Sequence, residues 1–241
     1  MSGRSRSGGR GQRSVLVLFD VDLTLIDTQG AGRGAMVAAG RAIFGDDFHS
    51  EGVPFAGRID PLILRDLLVA NGIAPTPNHA ASMRSAYVER LGAMLDGRVR
   101  TLPGAVALLD ALDAVEEVTV GVLTGNFEET GGMKLRAAGI DPERFAVQAW
   151  GDGSPFDPPA REHLPPVAIE RYVALHGRSP RSVTIVGDTS HDVACAMANG
   201  CRSLGVTTGR TSLDELSRAG ADRVVEDLSS TEEVMSWLME R

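Results

Sequence analysis

The 241-residue sequence predicts an α/β protein with a doubly wound, mainly parallel β-sheet and an inserted α-helical segment. Three observations lead to this fold class. Residues 15–19 form an apolar run, residues 29–100 show helical spacing almost without strand-like alternation, and strands alternate with helices after residue 101. Such alternation is typical of right-handed βαβ units and a parallel sheet. We therefore expect a core of residues 14–28 and 101–241, with a helical insertion at 29–100.

The first strand candidate, Val15–Phe19, is followed at once by Asp20-Val21-Asp22. A short, uninterrupted apolar run is typical of a strand that is buried on both faces. Its carboxyl end lies at the edge where open α/β sheets bind ligands. Two crowded carboxylates would repel each other and would be costly to bury unless a cation compensated them. The pair therefore predicts a divalent metal ion at this edge.

The insertion is predicted to contain three helices. Its Ala- and Leu-rich sequence places apolar residues at helical spacing, and Asp60-Pro61 resembles an N-cap with proline at the first helical position. Asn71-Gly72 predicts the end of that helix. A third helix is expected after the break at Pro75-Thr76-Pro77 and should continue through Leu95.

The rest of the core is predicted to alternate strands with helices. The strand candidates are Val118–Leu123, Phe145–Ala149, Val183–Val186, Ser203–Val206 and Arg223–Val225. The helices are expected to begin near Pro103, Glu128, Pro166, His191 and Leu213, and a last helix should include Glu232–Met239. We find no internal repeat and no heptad pattern that would predict an oligomeric state.

Composition and charge exclude several classes of protein. A hydrophobic content of 43% with 23% charged residues is ordinary for a globular chain. No apolar stretch approaches the roughly 18 residues of a bilayer span, so no membrane partner is expected. Residues 1–13, rich in Ser, Gly and Arg, are expected to form a disordered tail. Because their four arginines add +4 to a net charge of −8, the remainder carries −12, which argues against a nucleic-acid partner.

The two cysteines, Cys195 and Cys201, are expected to be free thiols. The sequence shows no secretory signal, and a cytoplasmic location is therefore expected. Metal binding by these two residues is not expected, because no nearby His/Cys pair completes a set of four ligands.

Two polar clusters directly follow strand candidates of the core. A hydroxyl, a bare backbone and an amide in Thr124-Gly125-Asn126 could hold an oxyanion, but the same residues also suit a turn and a helix cap. Asp188 and Asp192 in the second cluster, Gly187–Asp192, could bind a hard cation through oxygen ligands. Alternatively, they are an N-cap and a first-turn acid favoured by the helix dipole.

A cation that neutralises a transferred anionic group should lie between these two clusters. The available bases are Arg161, Lys134, His163 and Arg136. Arg161 lies in the loop just before the helix that leads to the Asp188 strand. The alternative interpretation is an ordinary surface arginine.

The order of these features resembles the haloacid dehalogenase-like hydrolase superfamily, specifically its phosphatase branch with a helical cap. That branch includes phosphoglycolate phosphatase and β-phosphoglucomutase. The resemblance extends from about Val15 to Gly209, and its specific parts are Asp20-x-Asp22-x-Thr24 and Gly187-Asp188-x-x-x-Asp192. Gly57-Arg58-Ile59-Asp60 is also similar to a Gly-Arg-Thr-Asp segment common in phosphoglycolate phosphatase-like members.

The resemblance implies a Rossmann-like core and a specific division of labour. Asp20 would attack phosphorus to form an aspartyl-phosphate, and Asp22 would protonate the leaving oxygen and then activate water. The implied Mg²⁺ ligands are Asp20, the backbone carbonyl of Asp22, and Asp188, with Asp192 as ligand or orienting residue. Thr124 would hold a phosphoryl oxygen as part of the catalytic set. The further substrate-binding candidates are Thr24, Gly125, Asn126, Arg58 and Lys134.

The sequence departs from the family pattern at two places. Leu23 stands where the family usually has glycine after the second aspartate, so the loop must turn without glycine's backbone freedom. The usual Lys-Pro segment is His163-Leu164-Pro165-Pro166 here. Arg161 is the expected substitute because a guanidinium can bridge carboxylate and phosphate, with Lys134 as the alternative and His163 third.

The sequence thus predicts a Mg²⁺-dependent phosphatase acting on a small-molecule phosphate ester. Arg58 would either reach a distal anion of that substrate or form a salt bridge on the cap surface. The alternatives are a phosphomutase of the β-phosphoglucomutase type and a regulatory module that has lost turnover. A haloacid dehalogenase is disfavoured because those enzymes attack carbon and need no acid at the Asp22 position.

Overall fold

Six parallel strands form the central sheet of this protein. The computed structural model describes residues 14–240, so the tail expected at residues 1–13 lies outside the described residues. These six strands are β1 (Val15–Phe19), β4 (Val118–Leu123), β5 (Val147–Ala149), β6 (Ser182–Gly187), β7 (Arg202–Val206) and β8 (Arg223–Val225), and a separate pair is formed by β2 (Ile26–Asp27) and β3 (Arg100–Thr101). The sheet has the order β5-β4-β1-β6-β7-β8. The predicted fold class is confirmed.

Helices cover the sheet and form the insertion. They are α1 (Ala31–Phe44), α2 (Asp60–Ala70), α3 (Pro77–Leu95), α4 (Ala105–Asp113), α5 (Glu128–Ala137), α6 (Leu164–His176), α7 (Ser190–Ala198), α8 (Leu213–Arg218) and α9 (Thr231–Met239). Within residues 14–240, none of these helices combines the length and apolar character needed to cross a bilayer.

Strand β1 is buried on both faces, as its uninterrupted apolar sequence predicts. Val15, Val17 and Phe19 pack with residues of α4, α5 and α9 on one side of the sheet. Leu16 and Leu18 pack with residues of α6 and α7 on the other side. Alternate side chains of one strand therefore enter two separate apolar layers.

The register of β1 with its neighbours determines which residues share the functional edge. Phe19 lies opposite Val122 of β4 and Val186 of β6. All three strands run in the same direction, so the residues just beyond them emerge side by side. Asp20 follows β1 directly, and Thr124 and Asp188 follow β4 and β6. The sheet itself therefore brings the three polar clusters to one edge.

Helices α1, α2 and α3 share an apolar cluster of their own, which includes Ala35, Leu67, Tyr87 and Leu91 together with Phe127 of the core. The sequence did not predict the antiparallel β2–β3 pair that lies at the two ends of this segment. Each strand has two residues, too few to show an alternating pattern. Arg100 and Asp27 join them through an ion pair of 2.8 Å.

The predicted N-cap role of Asp60 is wrong. Helix α2 begins at Asp60 itself, and its N-cap is Ile59 without a side-chain cap. The Asp60 carboxylate instead accepts hydrogen bonds from Phe127 and Thr130 of the core. A contact with the core thus replaces the expected N-cap, and it links the insertion to the functional edge of the sheet.

Candidate active site

Asp20 lies at the end of β1 with 5% of its surface exposed. Its backbone N–H donates to the carbonyl of Val186 at 2.9 Å, which holds the residue against β6. The Arg161 guanidinium is 3.1 Å from its carboxylate. Burial raises the pKa of Asp20 to about 6, although Arg161 and a hydrogen bond from Thr124 favour the ionised form. Asp20 is therefore a desolvated carboxylate with a cation beside it.

Asp20, Asp188 and Asp192 form a buried acidic cluster, in which one carboxylate oxygen of each lies within 4.8 Å of the others. Burial, followed by the charges of Asp192 and Asp20, raises the pKa of Asp188 to about 8. A Cβ added at Gly209 would lie 1.7 Å from an oxygen of Asp188, so only glycine allows this approach. Buried oxygen donors with excess negative charge are the chemistry that suits Mg²⁺. The residues present therefore fit such an ion.

The two carboxylate oxygens of Asp192 have different partners. One oxygen closes a capping box with Thr189, accepting from the Thr189 backbone N–H at 3.1 Å and its hydroxyl at 2.6 Å. The other contacts Arg161 at 2.5 Å. Asp192 is therefore both the first-turn acid of α7 and a member of the acidic cluster. The sequence had offered these two interpretations as alternatives.

Arg161 is a buried residue of the active edge and not a surface arginine. Only 7% of it is exposed, and its Nη2 contacts both Asp20 and Asp192. Burial opposes its charge, but the two carboxylates raise the pKa of Arg161 above its ordinary value. A permanent positive charge thus lies between the nucleophile candidate and Asp192 of the α7 capping box.

Lys134 contacts Asp22 and not Asp20. Its Nζ lies 2.6 Å from Oδ2 of Asp22 and 2.5 Å from Oδ1 of Asn126. The Asn126 side chain donates to the same Asp22 oxygen at 2.9 Å and to the Thr124 hydroxyl at 2.8 Å. One hydrogen-bonded group thereby joins helix α5 to the residues that follow β1 and β4.

The remaining site candidates have more varied surroundings. Arg58 forms an ion pair with Asp66 of α2 at 2.5 Å, which corresponds to the salt-bridge alternative. His163 hydrogen bonds with Ser154 at 2.8 Å. The Thr24 hydroxyl is buried and has no hydrogen-bond partner among the described residues. Thr24 therefore retains an unused polar group beside Asp22.

Sequence reasoning missed Asp60 as a residue of this region. Its backbone N–H donates to the Gly125 carbonyl at 2.7 Å, and its carboxylate accepts from the Phe127 N–H at 3.0 Å. A Cβ at Gly125 would lie 2.1 Å from the Arg58 carbonyl oxygen, so glycine is required for this close packing. The insertion thus rests directly on the loop after β4. Only its place in the Gly57–Asp60 segment could have drawn attention to Asp60.

Asp60 should make stability depend on pH. Burial raises its pKa from 3.8 to about 6, with Lys134 and the Phe127 hydrogen bond opposing the shift. A folded-state pKa above the unfolded value gives stability that is fully present below about 4 and lost as the pH rises through 6. Asp60→Asn cannot ionise there and retains one oxygen acceptor. We expect the stability of wild type, relative to Asp60→Asn, to fall by up to about 3 kcal/mol between pH 4 and pH 7.

Urea unfolding of the two proteins across that pH range measures this difference. Because Asp20 and Asp188 are present in both proteins, their contributions largely cancel. Parallel stability curves for the two proteins would contradict the expectation.

Two protein-family models match the sequence. One, described as haloacid dehalogenase-like hydrolase, matches residues 17–197. The other, described as HAD-hydrolase-like, matches residues 164–231. A search of curated proteins found no significant match.

Solved structures with a similar fold match nearly the whole chain. A hydrolase from Pseudomonas syringae is 23% identical with a TM-score of 0.68, the match covering 95% of this chain and 100% of that one. CbbY from Rhodobacter sphaeroides, solved in complex with phosphate, is 23% identical with a TM-score of 0.64, covering 89% and 94%. A predicted phosphoglycolate phosphatase from Haemophilus somnus is 18% identical with a TM-score of 0.65, covering 94% and 100%. At these identities the similarity establishes the fold.

Proposed function

The chain belongs to the haloacid dehalogenase-like hydrolase family, and we propose that it is a Mg²⁺-dependent phosphatase of small phosphorylated metabolites, acting through an aspartyl-phosphate on Asp20. The main supporting observation is the placement of Asp20 at the sheet edge, with Arg161 at 3.1 Å and the carboxylates of Asp188 and Asp192 close by. A nucleophile, a fixed cation and a set of hard oxygen donors meet there. Phosphoryl transfer through an aspartyl-phosphate uses that combination.

In the first step, an oxygen of Asp20 attacks phosphorus as the ester P–O bond breaks. Asp22 donates a proton to the leaving ester oxygen, which departs as an alcohol, and this role suits the partly exposed side chain of Asp22 two residues from the nucleophile. Arg161 balances negative charge beside the attacking carboxylate, because its guanidinium remains charged in this buried position.

In the second step, water attacks phosphorus and Asp22 removes its proton. The Asp20–phosphorus bond breaks, inorganic phosphate leaves, and the Asp20 carboxylate is restored. The same side chain thus serves as acid and then as base. Thr124, Gly125 and Asn126 would hold a phosphoryl oxygen through neutral donors, and the buried Thr24 hydroxyl is a further donor with no partner among the described residues.

The Mg²⁺ ligands would be Asp20, Asp188 and the Asp22 backbone carbonyl, with Asp192 as ligand or orienting residue. When bound, the ion supplies positive charge that offsets the repulsion of the acids and polarises the phosphoryl oxygens. The excess negative charge and the elevated pKa of Asp188 support this assignment.

The similar fold of a CbbY structure in complex with phosphate supports a phosphorylated ligand. Arg58 is proposed to reach a distal anion of that ligand after exchanging its contact with Asp66. The cytoplasm is the proposed location, since Cys195 and Cys201 are free thiols.

Hydrolysis of p-nitrophenyl phosphate, with Mg²⁺ and with EDTA, tests the proposal. We expect phosphate release that requires Mg²⁺, and a panel of phosphorylated metabolites then identifies the preferred substrate class. Equal rates with EDTA, or no hydrolysis of any ester, would refute a Mg²⁺-dependent phosphatase. Transfer of the phosphoryl group to a sugar in place of water would identify the phosphomutase alternative.

A further inference from the structure

Lys134 is a buried cation that the two chemical steps above do not use. It lies on α5 with 4% of its surface exposed, although a lysine normally keeps its ammonium in water. Its Nζ contacts Asp22 and Asn126 at 2.6 and 2.5 Å. Burying an ammonium is costly, so such a position calls for an explanation.

On its side that faces the α/β core, the Lys134 ammonium holds the Asp22 carboxylate in position. Lys134 and Asn126 both donate to Oδ2 of Asp22. The Asp22 side chain itself is 36% exposed and would otherwise have considerable rotamer freedom. Two donors on one oxygen restrict that freedom and leave the other oxygen, Oδ1, with only a long contact of 3.5 Å from Thr28 among the described residues.

The opposite side of Lys134 is enclosed by the helical insertion. A Cβ added at Gly32 of α1 would lie 3.2 Å from Nζ of Lys134 and 3.5 Å from the hydroxyl of Tyr87 on α3. Tyr87 is fully buried. The ammonium therefore occupies a space whose walls come from two helices of the insertion and whose hydrogen bonds go to the core.

On the basis of the proposed function, we propose that Lys134 is a positioning residue. The helical insertion encloses its ammonium and thereby holds the Asp22 carboxylate in the orientation that faces the leaving oxygen of the phosphate ester. Lys134 does not touch the ester, since its ammonium is buried and bonded to Asp22 and Asn126. The packing of α1 and α3 against the core restricts the position of the Lys134 ammonium. The ammonium in turn restricts the orientation of the Asp22 carboxylate. Accurate placement of a catalytic group contributes to rate in the way that substrate orientation does.

A double-mutant cycle between Lys134 and Asp22 tests this role. Lys134→Met should lower kcat for an alkyl phosphate about 10²-fold with little change in KM, because the proton transfer by Asp22 is lost. Asp22→Asn should lower kcat at least as much. In the Asp22→Asn background, Lys134→Met should have almost no further effect. A full additional loss in the double variant would overturn the proposal, since Lys134 would then act independently of Asp22.

Gly32→Ala provides a second test that keeps the charge. The new methyl group would press on the Lys134 ammonium, and we expect a several-fold lower kcat. Gly34→Ala is the matched control in the same helix, because its Cβ would meet only Met94 at an ordinary 3.5 Å. Both changes raise helix propensity. Equal activity of these two variants would contradict the enclosure step.

Urea unfolding without Mg²⁺ gives a readout that needs no turnover. At pH 5, Lys134→Met should lower the unfolding midpoint of wild type but raise that of Asp22→Asn, where the ammonium has lost its hydrogen-bonded carboxylate. This pH is chosen because Asp60, whose charge also acts on Lys134, has a pKa of about 6 and is then largely neutral. Absence of this sign change would overturn the proposed coupling even if the enzyme is active. Failure of wild type to hydrolyse any phosphate ester would instead refute the proposed function, so the two failures are distinguishable.

Discussion

Asp20→Asn is expected to lower kcat by about 10⁴-fold or more, because an amide cannot replace the carboxylate that forms the covalent intermediate. The loss should come from chemistry and not from misfolding. Asparagine has nearly the same shape, and Arg161 retains its contact with Asp192 at 2.5 Å. Removing a carboxylate whose pKa burial raises to about 6 also removes a desolvation cost at neutral pH. Turnover of p-nitrophenyl phosphate and urea unfolding together separate the two effects.

Asp27→Asn is a matched control for that experiment. Asp27 lies in β2 and pairs with the mostly exposed Arg100 at the periphery. We expect its amide variant to retain nearly normal turnover. Binding of BeF₃⁻, a mimic of the aspartyl-phosphate, should require Mg²⁺ in wild type and should be lost in Asp20→Asn. Normal turnover or normal BeF₃⁻ binding in Asp20→Asn would rule out Asp20 as the nucleophile.

The sheet and its functional edge were the most predictable parts of this protein. Val15–Phe19 has a single plausible interpretation, because an apolar run of that length flanked by polar residues fits a doubly buried strand. Once β1, β4 and β6 are parallel and in register, the positions of Asp20, Thr124 and Asp188 at one edge follow from chain geometry. The predicted membership in the haloacid dehalogenase-like superfamily is confirmed.

Contacts between distant segments could not be predicted in the same way. Lys134 and Asp22 are 112 residues apart, and the sequence around neither residue predicts its contact with the other. Asp60-Pro61 has every local sign of an N-cap, yet the Asp60 carboxylate bonds to Phe127 of the core. Helix periodicity indicates which face is apolar, but it does not indicate which residue of another element will meet a given polar group.

Leu23 shows how a departure from a family pattern can be accommodated. The sequence indicates a turn without glycine, and Leu23 indeed adopts a left-handed conformation with φ of 59°. That conformation costs a residue with a Cβ about 1–2 kcal/mol. The Leu23 N–H donates to the Ile26 carbonyl at 2.7 Å, and its carbonyl accepts from the Thr208 hydroxyl at 2.6 Å. These two bonds hold the loop in place despite the strain.

Arg161→Met should cause the largest loss of stability among the substitutions considered. It removes the cation that contacts the buried Asp20 and Asp192 and whose charge also favours the ionised form of Asp188. Removing one member of a buried ionic group typically costs about 3–5 kcal/mol. The variant should lose more stability as the pH rises from 6 to 8, because the acids with elevated pKa values must then ionise together. Loss of the charge beside the nucleophile should also lower kcat by about 10²–10³-fold.

Mg²⁺ and a charge-preserving variant separate the electrostatic role of Arg161 from its packing role. Arg161→Lys keeps the positive charge, but it has a shorter side chain and loses the second guanidinium nitrogen, which donates to the Gly57 carbonyl at 3.5 Å. We therefore expect an intermediate loss of both stability and kcat. Added Mg²⁺ should restore part of the stability of Arg161→Met, since a dication binds to the folded acidic cluster and offsets its repulsion. Urea unfolding at pH 6 and pH 8, with and without Mg²⁺, measures each expectation. If Arg161→Met had the stability of wild type and the same dependence on pH, the guanidinium would not be the group that offsets the electrostatic cost of burying three carboxylates. Another group would then have to balance their charge.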